Sequence, residues 1–287
     1  MVTLLTEGQN MEHRSTSRRA QHKLLFALAF MALCFALPIR AYGQSSRLAQ
    51  SATFTTNIEE LHYKISFKWG ILTGKIGEAS VVTRTAGSGQ YFSKLTMRTT
   101  GLADKFYAMR DTLETLYSAK KLPMRFEKRI DDNGFISSDI GTFVYSPAQT
   151  KVVNKQSIGG EEVLDTTLVY KQSERVIVDL LSTIALVRTY DYVNVEEVKP
   201  MKVIVPLADK SVYLEYLFKG TEQIEMPDGT QRQAMKVVLN VNDKNFSTSK
   251  NSMVVWLTRD KEQVPVKIRA DLAVGAAVVD LVRSYRK

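Results

Sequence analysis

Between Leu61 and Trp69 every second side chain is apolar: Leu61, Tyr63, Ile65, Phe67 and Trp69 fall on one face, and His62, Lys64, Ser66 and Lys68 on the other. Successive side chains of an extended chain point to opposite sides, so this period of two predicts a strand with one face buried. The same alternation returns at Tyr91, Leu95 and Met97, and at Met235, Val237, Leu239 and Val241. Turn signals lie between the runs: "AGSG" at 86–89, "DDNG" at 131–134, "SPAQ" at 146–149 and "PDG" at 227–229. Alternating runs joined by short loops predict antiparallel pairing.

One segment departs from this rhythm. Ile177, Leu180, Leu181, Ile184 and Val187 recur at helical spacing, which predicts an amphipathic helix over about 176–189, capped by Ser173, with its stripe against the sheet. A second helical turn is predicted within "LADKFYAMRD" (102–111). The main helix separates two β-rich halves, about 59–170 and 195–287, with no Pro- or Gly-rich linker between them. Residues 59–287 therefore read as a single β-rich domain: a mainly β fold, either a strongly curved antiparallel sheet or a barrel-like architecture, with one amphipathic helix.

"MVVWLTRDKEQVPVKIRADLAVG" (253–275) brings a Trp, acids and bases close together, but it reads as a hairpin. Val264, Val266, Ile268, Ala270, Leu272 and Val274 share an apolar face, Lys267, Arg269 and Asp271 alternate outward, and Asp260, Lys261 and Glu262 make a polar turn. Trp256 lies on the face opposite Met253, as a core residue or a ligand-facing wall.

The start of the chain follows a different logic. Arg14, Arg18, Arg19 and Lys23 precede the apolar stretch Leu24–Leu37, and "AYG" (41–43) offers small residues before Gln44. This predicts a Sec-type signal peptide over 1–43, followed by a polar leader over 44–58, and a periplasmic or envelope-associated protein. The apolar stretch is short of the roughly 20 residues that span a bilayer, so no transmembrane helix is expected in the mature chain. Cys34 is the sole cysteine and lies in that stretch, which leaves the mature chain no thiol and no disulfide.

Charge and chemistry narrow the function classes. Removing 1–43 takes five basic and two acidic residues with it and lowers the formal net charge from +9 to +6. In an exported protein, a modest basic excess faces anionic head groups and glycans rather than nucleic acid. His13 and His22 leave with the signal, so His62 is the single imidazole, too few for a His-based zinc site or a His-dependent triad. No phosphate-binding or dinucleotide loop and no nucleophile elbow is present. Carboxylates remain: Asp111 and Glu114 are close in sequence, and Asp131 with Asp132 are closer still. "DDNG" is accounted for as a turn. The expectation is a protein without catalytic residues, metal or cofactor.

"HYKISFKWGILTGKIGEASV" (62–81), "RDTLETLYSAKKLPMRFEKRI" (110–130), "DLLSTIALVR" (179–188) and "VVWLTRDKEQVPVKIRADLAVG" (254–275) together resemble the exported bacterial proteins of domain of unknown function 3108. The resemblance implies an envelope protein with a strongly curved, mostly antiparallel sheet, similar to a periplasmic protein type linked to capsule-locus lipoproteins. It assigns no reaction. Gly70, Gly74, Asp111, Pro123, Asp179, Arg188, Trp256, Asp260, Pro265 and Gly275 match in position without assigned roles.

Two function classes follow. The favoured one is a non-enzymatic binding or carrier module whose concave apolar face, lidded by the helix, holds a lipid or lipid-linked glycan. Its wall candidates are Trp256, Trp69, Phe67 and Tyr216, because strands such as 212–218 are apolar on both faces and can pack a core on one while lining a cavity with the other. The other is a structural or assembly component that docks an envelope protein partner through a sheet edge or basic face. A weaker third reading, a hydrolase of envelope polymers, requires two converging acids, at least one with a raised pKa.

Overall fold

The computed structural model describes residues 57–70, 72–192, 200–241, 253–272 and 275–287. The predicted signal and all but the last two residues of the leader lie outside the described residues, as does Val274. The first half of the chain supplies β1 (Ile58–Trp69), β2 (Leu72–Gly87), β3 (Gln90–Thr99), helix α1 (Gly101–Phe106) and β4 (Arg110–Ser118). There follow β5 (Pro123–Asp132), β6 (Phe135–Tyr145), β7 (Gln149–Ile158) and β8 (Glu161–Lys171). The second half begins with β9 (Val176–Ile177), helix α2 (Leu180–Val187), β10 (Met201–Leu207) and β11 (Lys210–Glu225). It ends with β12 (Gln231–Val241), β13 (Met253–Leu257), β14 (Pro265–Asp271) and β15 (Ala276–Arg286).

All fifteen strands form one sheet, in the order β8-β7-β6-β5-β4-β3-β2-β1-β15-β14-β13-β12-β11-β10-β9. Every neighbour is the next strand in sequence except at the centre, where β1 pairs with β15 from Glu59↔Arg286 to Lys68↔Ala276. Pairing is antiparallel throughout, apart from the short parallel contact of β9 with β10. The sheet is thus mainly β, strongly curved and nearly closed, as the alternation predicts.

Curvature comes from irregularities in the ladder. Bulges interrupt β1 against both neighbours, at His62/Tyr63 and Ile65/Ser66, and another lies at Phe218/Thr221 in β11. Each extra residue bends and twists its strand, which is what rolls an extended sheet toward a barrel. Gly275 permits the tight entry into β15: it has φ +79°, and a Cβ there would press into the Lys68 carbonyl and the Phe67 ring.

Inside the curve lies α2. Seven of its eight residues are buried, Ile184 being the exception, so the helix is enclosed rather than laid on a surface by one stripe. It is also shorter than the predicted 176–189. Val176 and Ile177 are extended in β9, and Asp179, not Ser173, is the N-cap. The β-branched pair takes backbone partners on β10, and the helix cannot begin until after it. The helical turn predicted within 102–111 is α1.

The apolar face predicted for 264–274 is broken at one place. A bulge between Trp256 and Leu257, opposite Pro265, shifts the register. Ile268 and Ala270 stay in the main core, while Val266 crosses to a second cluster with Ile224, Ala234, Val238, Val254 and Trp256.

Candidate functional site

The two ends of α2 are held by buried polar groups that sit on different strands. At the N-terminus, Asp179 Oδ1 accepts the Leu181 and Ser182 amides at 2.7 and 2.8 Å. Its Oδ2 accepts the Ser182 and Thr115 hydroxyls at 2.6 and 2.7 Å, tying the helix to β4. Burial raises the Asp179 pKa and these four bonds oppose the rise. At the C-terminus, the Arg188 guanidinium forms a bidentate pair with Glu59 at 2.7 and 2.9 Å and also donates twice to the Glu262 carbonyl. Glu59 is 3% exposed and accepts a further bond from Arg286. The resemblance marks Asp179 and Arg188 by position alone; here they are the two anchors of the helix.

Between the anchors, α2 and the sheet enclose an apolar chamber. Leu95, Met97 and Leu113 close one side, Leu180, Leu181, Ile184 and Val187 line it from the helix, and Val212, Leu214 and Tyr216 with Met253, Val255 and Leu257 complete it. Among the described residues, Thr183 and Tyr216 are the only polar side chains in the lining. The open space is about 70 Å³. That is well short of the roughly 300 Å³ at which small-molecule pockets begin, and about half of an engineered apolar cavity of ~150 Å³ that stays dry and takes benzene.

Both ends of the inner face are polar. At one end, Ser93 bridges the Thr83 and Tyr117 hydroxyls at 2.8 and 2.9 Å, and Lys121 Nζ lies 3.9 Å from the Tyr91 ring centre. Burial, with Arg188 nearby, lowers the Lys121 pKa to about 8. At the other end, Asp111 is paired across the ladder with the chamber residue Met97 and stands two residues before Leu113 on the same face. Asp111 Oδ1 and Asp132 Oδ1 are buried without a hydrogen-bond partner among the described residues. Burial first, then the Asp132 charge, pushes the Asp111 carboxyl up to about 7; burial raises Asp132 in the same direction.

The converging acids are therefore Asp111 and Asp132, not the pairs that are close in sequence. Asp111 and Glu114 point to opposite faces of β4, and Glu114 meets Lys94 at 2.9 Å outside. Neighbours such as Asp131 and Asp132 likewise diverge on β5. Only the cross-strand register could have found the real pair.

This gives a pH prediction. Asp111 holds its proton more tightly in the folded than in the unfolded chain, so its contribution to stability falls as pH rises from about 4 to about 7 and is constant outside that window. A tenfold change in proton affinity is worth about 1.4 kcal/mol. Asp111→Asn is expected to stabilise the fold by a few kcal/mol at pH 8 and to leave it unchanged at pH 4, as read by urea denaturation at both pH values. An effect independent of pH would refute the assignment.

The outer face of the same strands carries a polar hollow of about 440 Å³ lined by His62, Ser80, Thr96, Arg98, Arg110 and Thr112, with the row Ala79–Met97–Asp111 as its floor. Its ionisable side chains have local partners: His62 meets Glu60, Arg98 meets Glu78, and Arg110 meets Asp104. Among the described residues no group of three or more His, Cys, Asp or Glu is placed to hold a metal ion. No described helix is long and apolar enough to cross a membrane.

Of the wall candidates, Tyr216 lines the chamber and is 4% exposed. Phe67 is half-buried and lies against Gly275, away from the chamber lining. The Trp69 side chain lies outside the described residues. Trp256 is on the opposite face of β13 from the chamber residues Met253, Val255 and Leu257, and its indole donates to Glu222 at 2.6 Å.

The family model described as protein of unknown function (DUF3108) matches residues 62–282, from within β1 to within β15. The chain belongs to the DUF3108 family. Among solved structures, this DUF3108 chain is similar to a β-barrel-like protein of domain of unknown function DUF1849 from Brucella abortus. The match covers 81% of this chain and 98% of that one at 11% identity, with a TM-score of 0.56, and shows a shared fold. A DUF1329 family protein from Desulfovibrio piger aligns over 82% of this chain and 87% of its own at 10% identity, with a TM-score of 0.20, too low to inform the fold. No curated protein matches the DUF3108 chain.

Proposed function

We propose that the chain is an exported, non-enzymatic binding module of the cell envelope that takes the apolar part of an amphipathic ligand, a lipid or lipid-linked glycan, into the chamber beside α2. The observation that supports this is the lining: a continuous apolar wall drawn from both halves of the chain that side chains leave incompletely filled. A space of about 70 Å³ admits only the end of an acyl chain, so binding widens the chamber. Met97 and Met253, unbranched and adaptable, are the wall residues best suited to repack. Because α2 is anchored at both ends, widening proceeds by side-chain movement with the helix retained.

The test is native mass spectrometry with lipid extraction on the chain purified from the periplasm of its own host. A stoichiometric lipid or glycolipid is expected. Val255→Leu with Val212→Ile, which adds two methylene groups to the chamber, should lower its occupancy at least tenfold while leaving the unfolding midpoint within a few degrees. A clean apo mass for the parent chain overturns the proposal.

A further inference from the structure

Antiparallel order brings the β1–β2 turn, the β3–β4 connection and the β5–β6 turn to one end of the sheet. Each carries large apolar side chains turned to solvent: Leu72 on the first, Leu102 and Phe106 on the second, Phe135 and Ile136 on the third, all 50% to 75% exposed. Backbone bonds knit the three into one rim. The Thr100 amide donates to the Ile76 carbonyl at 3.0 Å, and the Asn133 amide to the Ala108 carbonyl at 2.6 Å.

Helix α1 is the most pronounced part of this rim. No residue in it is buried, and Leu102 and Phe106, four apart, share its outward face. The helix is nevertheless held firmly: Asp104 accepts both Arg110 guanidinium nitrogens at 2.6 and 3.0 Å and the Thr99 hydroxyl at 2.7 Å. Packing does not account for a pinned helix that buries nothing, and exposed apolar surface grouped in this way marks a contact site.

We propose that this rim docks on an anionic lipid surface, with α1 foremost. Layering is the first reason for lipid. The apolar tips lie at the extreme end of the sheet, and cations stand behind them. Lys75 is three residues back from Leu72, roughly 10 Å of strand. Arg98 precedes α1, Arg110 follows it, and both line the polar hollow on the outer face. A bilayer interface has the same order, since an apolar face sinks ~5–10 Å toward the acyl chains beneath a layer of phosphates.

Charge is the second reason. Around α1 and the β1–β2 turn five cations, Lys68, Lys75, Arg98, Lys105 and Arg110, stand against two acids, Glu78 and Asp104. The exposed acids of this end, Asp131, Glu161 and Glu162, lie toward β8, so an anionic surface meets α1 first. This surface goes beyond the chamber reading and does not rest on it.

Flotation of the chain, purified as for the lipid extraction, with vesicles of phosphatidylcholine and phosphatidylglycerol in equal parts should show binding that weakens as salt is added. Vesicles of phosphatidylcholine alone should bind far less. Leu102→Ser with Phe106→Ser should lower the partition coefficient at least tenfold and leave the unfolding midpoint unchanged, because neither side chain is buried. Lys75→Glu with Lys105→Glu should bring binding to the anionic vesicles down to the level of the neutral ones. In a Cys34→Ser background, an environment-sensitive fluorophore on Phe106→Cys should brighten with vesicles. One on Val144→Cys, exposed near the opposite end of the sheet, should not. Absence of binding to the anionic vesicles overturns the proposal, as does binding that survives the two serines or that brightens position 144 equally. Self-association that the serines abolish, without vesicle binding, overturns it in favour of a second copy. Native mass spectrometry reads the chamber separately: a clean apo mass with vesicle binding intact removes the chamber proposal and leaves this one standing.

Discussion

Replacing Arg188 by methionine is expected to destabilise the fold by ~3–5 kcal/mol, the range for removing one partner of a buried ion pair. The loss has two parts. Glu59, 3% exposed, keeps only the Arg286 bond at 3.1 Å, and the Glu262 carbonyl loses both of its guanidinium donors. The side chain also joins three places that are remote in sequence: the end of α2, the start of β1 and the turn between β13 and β14. Adding Glu59→Gln to Arg188→Met removes the stranded charge and should recover part of the loss, which a double-mutant cycle in urea measures. A cost below about 1 kcal/mol for Arg188→Met alone would mean that the pair does not anchor the helix.

Trp256→Ala should cost a comparable ~3–5 kcal/mol, as expected for truncating a buried aromatic. The indole is 8% exposed and sits among Ile224, Ala234, Val238, Val254 and Val266 on the face of β13 turned away from the chamber. Its removal also takes a hydrogen bond from Glu222, which retains Lys236 at 3.1 Å. Trp256→Phe preserves most of the packing and should cost far less. Because the ring and the chamber lie on opposite faces, ligand occupancy per folded molecule is expected to stay constant in both variants. Loss of ligand at unchanged stability would reverse this assignment and return Trp256 to the role of a wall.

The strands were legible because their signal is local. Leu61, Tyr63 and Ile65 alternate with polar residues, and they are buried where that alternation places them. The helix was legible as a helix but not as an enclosed one. Periodicity around Ile177 extends the predicted helix backward into β9 and toward Ser173, whereas the cap lies within "DLLS" (Asp179–Ser182) itself. The features that govern the candidate site depend on register and closure. Glu59 and Arg188 are 129 residues apart, and no spacing rule joins them. Asp111 and Asp132 converge because β4 and β5 pair; sequence neighbours such as Asp131 and Asp132 diverge because side chains on a strand alternate. The division of β13 into a chamber face and a Trp256 face was readable from alternation alone, but which face met the chamber was not.

The pairing of β1 with β15 has a consequence for how the chain comes together. Ile58 and Lys287 exchange backbone hydrogen bonds at 3.0 and 2.9 Å, so the first described strand is zipped to the last. A chain that emerges N-terminus first can lay β2 to β8 beside β1 as each appears, but one edge of β1 stays bare until residues 276–286 arrive. Glu59 waits equally long for Arg286, and for Arg188 until α2 is made. Closure thus waits for β15, and shielding is most needed for the half-built molecule, whose open edge is the first of the described strands.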